Sequence, residues 1–482
     1  MYRRNISNIL YPIAGVLGLF IVYEAVVKPT YMQTSPPLPA GHEPAIEGHA
    51  RIEDQAYEPR LDEAPASALR PLRQIDAGGV PDSKHHDTLE AIREEIEKDN
   101  LKTAESQLAG LPAALQADSP TRHYLAILWN NLGIEQEKVD GTKGSLKALK
   151  KAASLDSDNP IIQMNLAHAY WEQRDPAMNQ DFLERLVVLA PQEPFPHMAL
   201  ADWLQEHGHL GEAGRHLAQA AERAASDPSL QSYLRTVTAK VQRTDHMESR
   251  LTSRAGAHFT VKHDGDSDHD TWTVVLDILE EAYRDIGQRF GHFPSKPVVV
   301  VLHPNATFQG NTGSPAWADG LFDPVLGRIH LPTQNALTDR AWLKRVLRHE
   351  FVHALLHDQQ GVNHNALPTW LNEGLAMQLS SDHWPDTDQL ASQEVSVIPL
   401  TALEGSWANL SSEAASIAYL EADSATRYLI TRYGMHEVQR LLLRLKKKQT
   451  LNAAIEAELS LSYDQFQSRW MAHWQEGPTT SS

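Results

Sequence analysis

Apolar positions along this chain fall into four successive regimes. From Ile9 to Val27 they form a nearly unbroken run, long enough to cross a ~30 Å hydrocarbon core. Pro12 and two glycines inside it are tolerated in membrane helices. Arg3 and Arg4 precede the run, which sets the N-terminus in the cytoplasm and the bulk of the chain on the other side. The rival readings are a cleaved signal peptide and a buried core helix. The run is long for a signal peptide, and no clean A-x-A site follows. The expectation is a cytoplasmic N-terminus over 1–8 and an uncleaved transmembrane signal anchor over 9–27. It puts the chain in a bacterial inner membrane, single-pass, with its C-terminal domains on the periplasmic or extracytoplasmic side. Residues 28–82 are rich in Pro, Ala, Glu and Asp and show no helical period, so they read as a flexible linker. From Asp87 to Ser249 the period is helical throughout.

Past Ser253 the grammar changes. "AHFTVKHD" alternates like a strand, and "TWTVVLDILEEAYRDIGQRFG" is an amphipathic helix ending at Gly291. "KPVVVVLHP" is a β-branched run bounded by prolines and reads as a buried strand. "PAWADGLFDPVLGRIHLP" gives two strands about a Pro–Gly turn. A long helix follows, with a start at Leu337–Thr338–Asp339 and a stop at Gly361. Pro368 and Thr369 open another, and helical patterning returns after Ser381 to the end. This is an α+β unit with a C-terminal helical lobe.

The helical regime also repeats. Leu132, Leu166 and Leu200 are spaced by 34, each followed by a small residue. Leu149, Leu183 and Leu217 share that spacing, and so do Pro160, Pro194 and Pro228. With "LWNNLG", "MNLAHAYWEQRD" and "HMALADWLQEHGHLGEAGRHLAQAA", this stretch resembles tetratricopeptide repeats, which are stacked helix pairs of that period. The pattern departs at Gln136, at Leu204 and at Asn179, where a small residue is usual. The resemblance implies an all-α repeat domain over 83–250 that presents a concave surface to a protein partner. A nonrepetitive helical bundle is the alternative.

Composition narrows the chemistry. None of the 482 residues is cysteine, which excludes disulfides, thiolate zinc fingers and cysteine nucleophiles. The acids outnumber the bases by 62 to 43, so there is no electrostatic footprint for nucleic acid. Within the long helix stands "HEFVH". On a helix, His349 and His353 lie one above the other, about 6 Å apart along the axis, so both rings can converge on one ion. Glu350 is one step round, able to touch a water on that ion but badly placed to be a ligand. A catalytic zinc needs a third protein ligand and an open position. His357 lies ~12 Å along the axis from His349 and is out of reach. Asp358 is too close in sequence to fold back. His364 lacks the glycine turn used by enzymes with three histidine ligands. Glu373 remains, in the largely apolar "LPTWLNEGLAMQLSS", where an unpaired carboxylate is costly. Gly374 beside it is expected to let its helix pack closely on the first. The competing reading of Glu373 is the exposed edge of a core helix.

"HEFVH" followed by Glu373 resembles the gluzincin metallopeptidases. The ordered set "LEEAYRDIGQRFG", a valine-rich strand, "WADG", "GRIHLP", the HExxH helix and "WLNEGLA" is similar to peptidase MA-like domains over about 255–475. The resemblance implies a gluzincin-like zinc peptidase domain over 253–380 and a helical lobe over 381–482 that closes the site. It implies one zinc ion per chain on His349, His353 and Glu373, and Glu350 as general base. Tyr419 sits where such sequences carry an oxyanion donor; a tyrosine packed on the core is the alternative. Thermolysin-like enzymes supply an acid four residues after the glutamate ligand to orient a histidine. Met377 stands there, so that acceptor must come from elsewhere. The strand in "WADGLF" or "GRIHLP" is expected to pair with an extended peptide. The aminopeptidase G-A-M-E-N motif is missing, which favours an endopeptidase.

The expectation is therefore a multidomain, membrane-anchored zinc metallopeptidase acting on peptide or protein substrates, with repeats that recruit substrate or partner. The alternative is a repeat scaffold with an inactive protease-like domain.

Overall fold

The structure is a computed structural model. It describes residues 72–81, 85–140, 142–173, 175–265, 270–314, 318–333, 339–361, 367–380, 398–408 and 410–476. These are mostly helical with one small mixed sheet. Contacts divide them into two units, residues 72–252 with 323–328, and residues 253–322 with 329–476.

One expectation is corrected. Among the described residues no helix is long and apolar enough to cross a membrane. Their apolar positions recur every three to four residues, so most keep a polar face, which lipid does not tolerate. The run at 9–27 lies outside the described residues. Among the described residues the fold class is accordingly corrected to helices with a small mixed sheet and no transmembrane helix, and these residues give no support to the expected single-pass inner-membrane localisation.

The helical unit comprises α1 (His86–Glu97), α2 (Leu101–Gly110), α3 (Ser119–Asp140), α4 (Thr142–Leu155), α5 (Pro160–Gln173), α6 (Gln180–Leu189), α7 (Pro194–Glu206), α8 (Leu210–Arg223) and α9 (Pro228–Glu248). Pro160, Pro194 and Pro228 are the first residues of α5, α7 and α9, where a missing N–H costs nothing. Both leucine series of the 34-residue spacing are buried. Asn179, which breaks the small-residue pattern, instead caps α6: its Oδ1 accepts from Phe182 N at 3.0 Å. Residues 72–80, read from composition as the end of a linker, lie against this unit without regular secondary structure, with Leu72, Ile75, Ala77 and Val80 packed on its core.

The second unit is built on β1 (Thr252–Ala255), β2 (Phe259–His263), β3 (Val298–His303), β4 (Leu321–Asp323) and β5 (Arg328–Pro332), in the order β1-β2-β3-β5-β4. β2 and β3 are parallel, with Phe259 opposite Val298 and Val261 opposite Val300. The crossover between them is α10 (Thr271–Phe290), as a parallel pair requires. β1 and the short α11 (Asn305–Thr312) carry too little periodicity to be seen in the sequence. The rest is α12 (Arg340–Gln360), α13 (Thr369–Ser380), α14 (Ser412–Tyr433), α15 (Met435–Lys446), α16 (Leu451–Leu459) and α17 (Tyr463–Glu476). One apolar cluster runs from Val261 and Val300 on the sheet, through Phe351 and Leu375, to Trp470 on α17. Trp370 Nε1 donates to Tyr463 Oη at 2.9 Å inside it, tying α13 to α17.

Glu421 on α14 is a polar exception within this packing. Its side chain is 1% exposed, and one oxygen accepts from the Ile398 N–H at 2.8 Å. Burial pushes its pKa up to about 8. The folded state thus holds this proton more tightly than the unfolded chain. The stability it confers is complete below the ordinary glutamate pKa and is lost as pH rises towards 8. Glu421→Gln keeps the acceptor and removes the titration. Its melting temperature should diverge upward from that of the parent between pH 5 and pH 8, by at most ~4 kcal/mol of stability. Parallel curves across that range would rule out a buried titrating carboxyl at 421.

Candidate metal centre

α12 and α13 supply the chemistry. α12 starts where Asp339 accepts from Trp342 N at 2.9 Å and stops at Gly361, as its sequence signals require. Its apolar residues Leu343, Leu347, Phe351 and Leu355 are buried in the core. Arg348, 6% exposed, donates Nε to Ser380 O at 3.0 Å and pairs with Asp285 of α10. Arg289 of α10 donates to Leu379 O at 3.1 Å. Two guanidinium groups thus satisfy the last carbonyls of α13, where positive charge also complements the helix dipole. His349 is the neighbour of Arg348, so the same contacts set where the histidine faces α13.

The three expected donors come together. His349 Nε2 lies 3.2 Å from Glu373 Oε2, and His353 Nε2 lies 3.4 Å from the same oxygen. One donor atom from each residue falls within 4.8 Å of the others. Donors held 2.0–2.1 Å from a tetrahedral ion are about 3.3 Å apart, so these two separations are those of ligands sharing an ion. His353 Nδ1 is 3.2 Å from Asn372 Oδ1. That bond places a proton on Nδ1 and turns Nε2 toward the centre of the cluster.

The electrostatics agree with the geometry. Burial alone would lower the His353 pKa, but the Glu373 and Glu350 carboxylates lift it to about 9. Burial alone would raise Glu373, yet His353 and His349 hold it well below the carboxylate range. The cluster therefore stabilises a positive charge at its centre. Glu350 behaves differently. It is 7% exposed, and burial raises its pKa although His353 and His349 pull it down; Glu373 adds to the rise, and the Phe322 N–H opposes it by donating to the carboxylate. Gly320, in "WADG", lies directly over it. A Cβ there would come within 2.7 Å of Val346 Cγ1 and 3.1 Å of the Glu350 side chain.

Tyr419 reaches the cluster from α14. Its ring sits edge-on to Trp407 at 5.1 Å and 6.4 Å from the His349 ring, and its hydroxyl hydrogen-bonds Glu373. Burial, then the Glu373 and Glu350 charges, push its pKa far above that of a free phenol. The hydroxyl stays protonated as a donor.

Other sequence candidates take structural places. His357 is in the last turn of α12 and packs against Phe322 at 5.3 Å. Asp358 accepts from His292 Nε2 at 2.8 Å and from Ser295 Oγ at 3.0 Å. His364 lies outside the described residues. Gly374 departs from expectation: it faces α14, not α12. A Cβ there would sit 2.1 Å from Thr426 Oγ1 and 2.3 Å from Ala422 O. The acceptor for His353 was missed in the sequence because it precedes Glu373 by one residue, whereas the position inspected, Met377, follows it by four. Met377 is buried in the core.

Residues 282–476 match a family model described as Peptidase MA superfamily. The match begins within α10 and ends with α17, and it contains every residue of the cluster. Comparison with curated proteins gives no match. This stretch is similar to domains of the Peptidase MA superfamily, a similarity that supports hydrolase or peptidase activity in general and a peptide or protein substrate.

Gly374→Ala tests how tightly α13 is set against α14. A backbone carbonyl cannot retract as a side chain can, so overpacking here should cost at least the usual ~1–3 kcal/mol. Calorimetry should show a melting temperature several degrees lower. An unchanged value would mean the helices are not in contact at 374.

Proposed function

We propose that this domain is a zinc metallopeptidase cutting internal peptide bonds. In this reading residues 253–380 form the gluzincin-like domain, 381–482 a helical lobe, and 83–250 a set of tetratricopeptide-type repeats that recruit substrate or a partner protein. The observation that carries the catalytic reading is the convergence of His349, His353 and Glu373 with Glu350 beside them. His349, His353 and Glu373 would hold one zinc ion per chain. When bound, zinc supplies an acidified water and polarises a carbonyl oxygen.

This chain's own groups supply the rest. Glu350, excluded from the ligand set by its place on the helix, takes a proton on its carboxylate as water attacks. It then delivers that proton to the leaving amine nitrogen. Its raised pKa brings it closer to the pH at which it must both accept and donate. The Tyr419 hydroxyl, protonated at neutral pH, donates to the oxygen that gains charge in the transition state. β4 is an edge strand of the sheet and lies against Glu350 through Phe322. Its place at the sheet edge suits an extended peptide added as a further strand beside Glu350. That geometry, with no motif to clamp a substrate amino terminus, supports cleavage within a chain. An inactive scaffold has no use for Glu350, since a buried carboxylate without work costs stability.

Two variants test this reading. Glu350→Gln should retain one zinc per chain by mass spectrometry, while cleavage of a denatured protein falls ~10²–10⁴-fold. Zinc bound to the parent with no cleavage of any unfolded protein or peptide library would favour the scaffold. His349→Ala binding zinc like the parent would remove the site altogether. Tyr419→Phe should leave metal content and KM unchanged and lower kcat by ~10²–10³-fold. A kcat equal to that of the parent would return Tyr419 to a packing role.

A further inference from the structure

Residues 72–80, "LRQIDAGGV", run without regular secondary structure along the helical unit, turning at Gly78, and they are held in a specific way at 73–75. Asn165 accepts the Arg73 N–H at 3.0 Å and donates to the Arg73 carbonyl at 2.8 Å. Asn131 accepts the Ile75 N–H at 2.9 Å and donates to the Ile75 carbonyl at 2.7 Å. Each carboxamide therefore grips both polar groups of one residue, and the two gripped residues are alternate. Asn131 and Asn165 are 34 residues apart, each directly before a leucine of the repeated series. They are the same helix position in α3 and α5. Asn130 braces them: it donates to the Arg73 carbonyl at 3.3 Å and to Asn131 Oδ1 at 3.1 Å, and accepts from Asn165 at 2.8 Å.

Side chains add selectivity. Arg73 forms a two-pronged pair with Glu193, at 2.9 and 3.2 Å. Gln74 donates to Glu135. Beside the Arg73–Glu193 pair is a pocket lined by Met164, His168 and Phe195.

Carboxamide grips on N–H and C=O read an extended backbone, not a particular sequence. Any packed segment must satisfy its backbone polar groups, but here the two grips recur at the 34-residue spacing and meet alternate residues. Asn130 and Asn165 are 0% and 3% exposed, and buried amides are costly unless their bonds are made. The positions are built for a strand-like ligand, and residues 72–80 fill them.

We infer that this face of the helical unit is a receptor for extended peptide segments bearing arginine two residues before an aliphatic residue, and that residues 72–80 are its resident ligand. The partner is a protein presenting that chemistry, which must displace the resident segment to bind. Selection comes from Glu193, which rejects an acid in place of the arginine. The inference deepens the recruitment reading above. Its readout is peptide binding, so its failure and a failure of catalysis are told apart.

A fluorescein-labelled LRQIDAGGV peptide is titrated against the full chain by anisotropy. A resident segment on a short tether acts at an effective concentration on the order of millimolar, so the parent should bind the peptide weakly. The full chain carrying Arg73→Glu and Ile75→Asp, which eject the segment, should bind it at least tenfold more tightly. Adding Asn165→Ala should abolish the gain, and so should replacing the peptide's arginine with glutamate. Equal binding by parent and vacated chain, or by both peptides, would overturn the inference. Should the vacated chain unfold by circular dichroism, hydrogen exchange on the parent decides. Excess peptide must then speed exchange across residues 72–80, and unchanged exchange there overturns the inference.

Discussion

The separation between α13 and its two neighbours governs the His349–His353–Glu373 cluster. Glu373 comes from a different helix than the histidines, and its carboxylate oxygen must stand about one donor–donor distance from both rings. A helix displaced by an ångström breaks that relation, because a glutamate has little reach to spare once its own helix is packed. Three features fix the distance. Arg348 and Arg289 hold the last carbonyls of α13 from the α12 and α10 side. On the other side Gly374 removes the side chain that would hold α14 away. Trp370 anchors the first turn to Tyr463. The residues flanking Glu373 in "WLNEG" thus each have a task, and the carboxylate is positioned by its neighbours.

The same closeness sets the charges. Burying two glutamates and two histidines in an apolar core is unfavourable for each taken alone. Glu373 is stabilised as an anion only because both histidines face it, and His353 as a cation only because the carboxylates do. Glu350 has the weaker share of that exchange, which is why its proton affinity rises while that of Glu373 falls. Two carboxylates in one cavity are pushed in opposite directions by their places on the helices. On the proposed reading, that divergence separates a ligand from a proton carrier.

Much of this was legible in the sequence, for a local reason. Helical spacing converts i, i+4 directly into two facing rings, so His349 and His353 were visible in five letters. The ends of α12 were written in Asp339 and Gly361, and the other candidates for third donor failed on reach or, for His364, on the missing glycine turn. What was hidden depends on contacts far along the chain. The partner of Gly374 is about fifty residues later, on α14. The acceptor for His353 is Asn372, which looks like any polar residue in a helix until the fold turns it toward Nδ1. The apolar run at 9–27 lies outside the described residues, and among those no helix is long and apolar enough to cross a membrane.

The helical unit shows the same logic on a longer period. A 34-residue repeat returns each residue to the same place on successive helices, so a useful side chain need only recur at that spacing to line a groove. Asparagine does so at 131 and 165. At the next step the position is Ala199, too short to reach a backbone. There the grip passes to Glu193, which holds a side chain in place of a peptide group. On the inferred reading, backbone contacts at two steps and a charge contact at a third give the repeat a preference without loss of its regularity. Residues 72–80 escaped notice in the sequence because their composition is that of a linker. Such a segment needs no periodicity of its own when the surface it lies on carries the period.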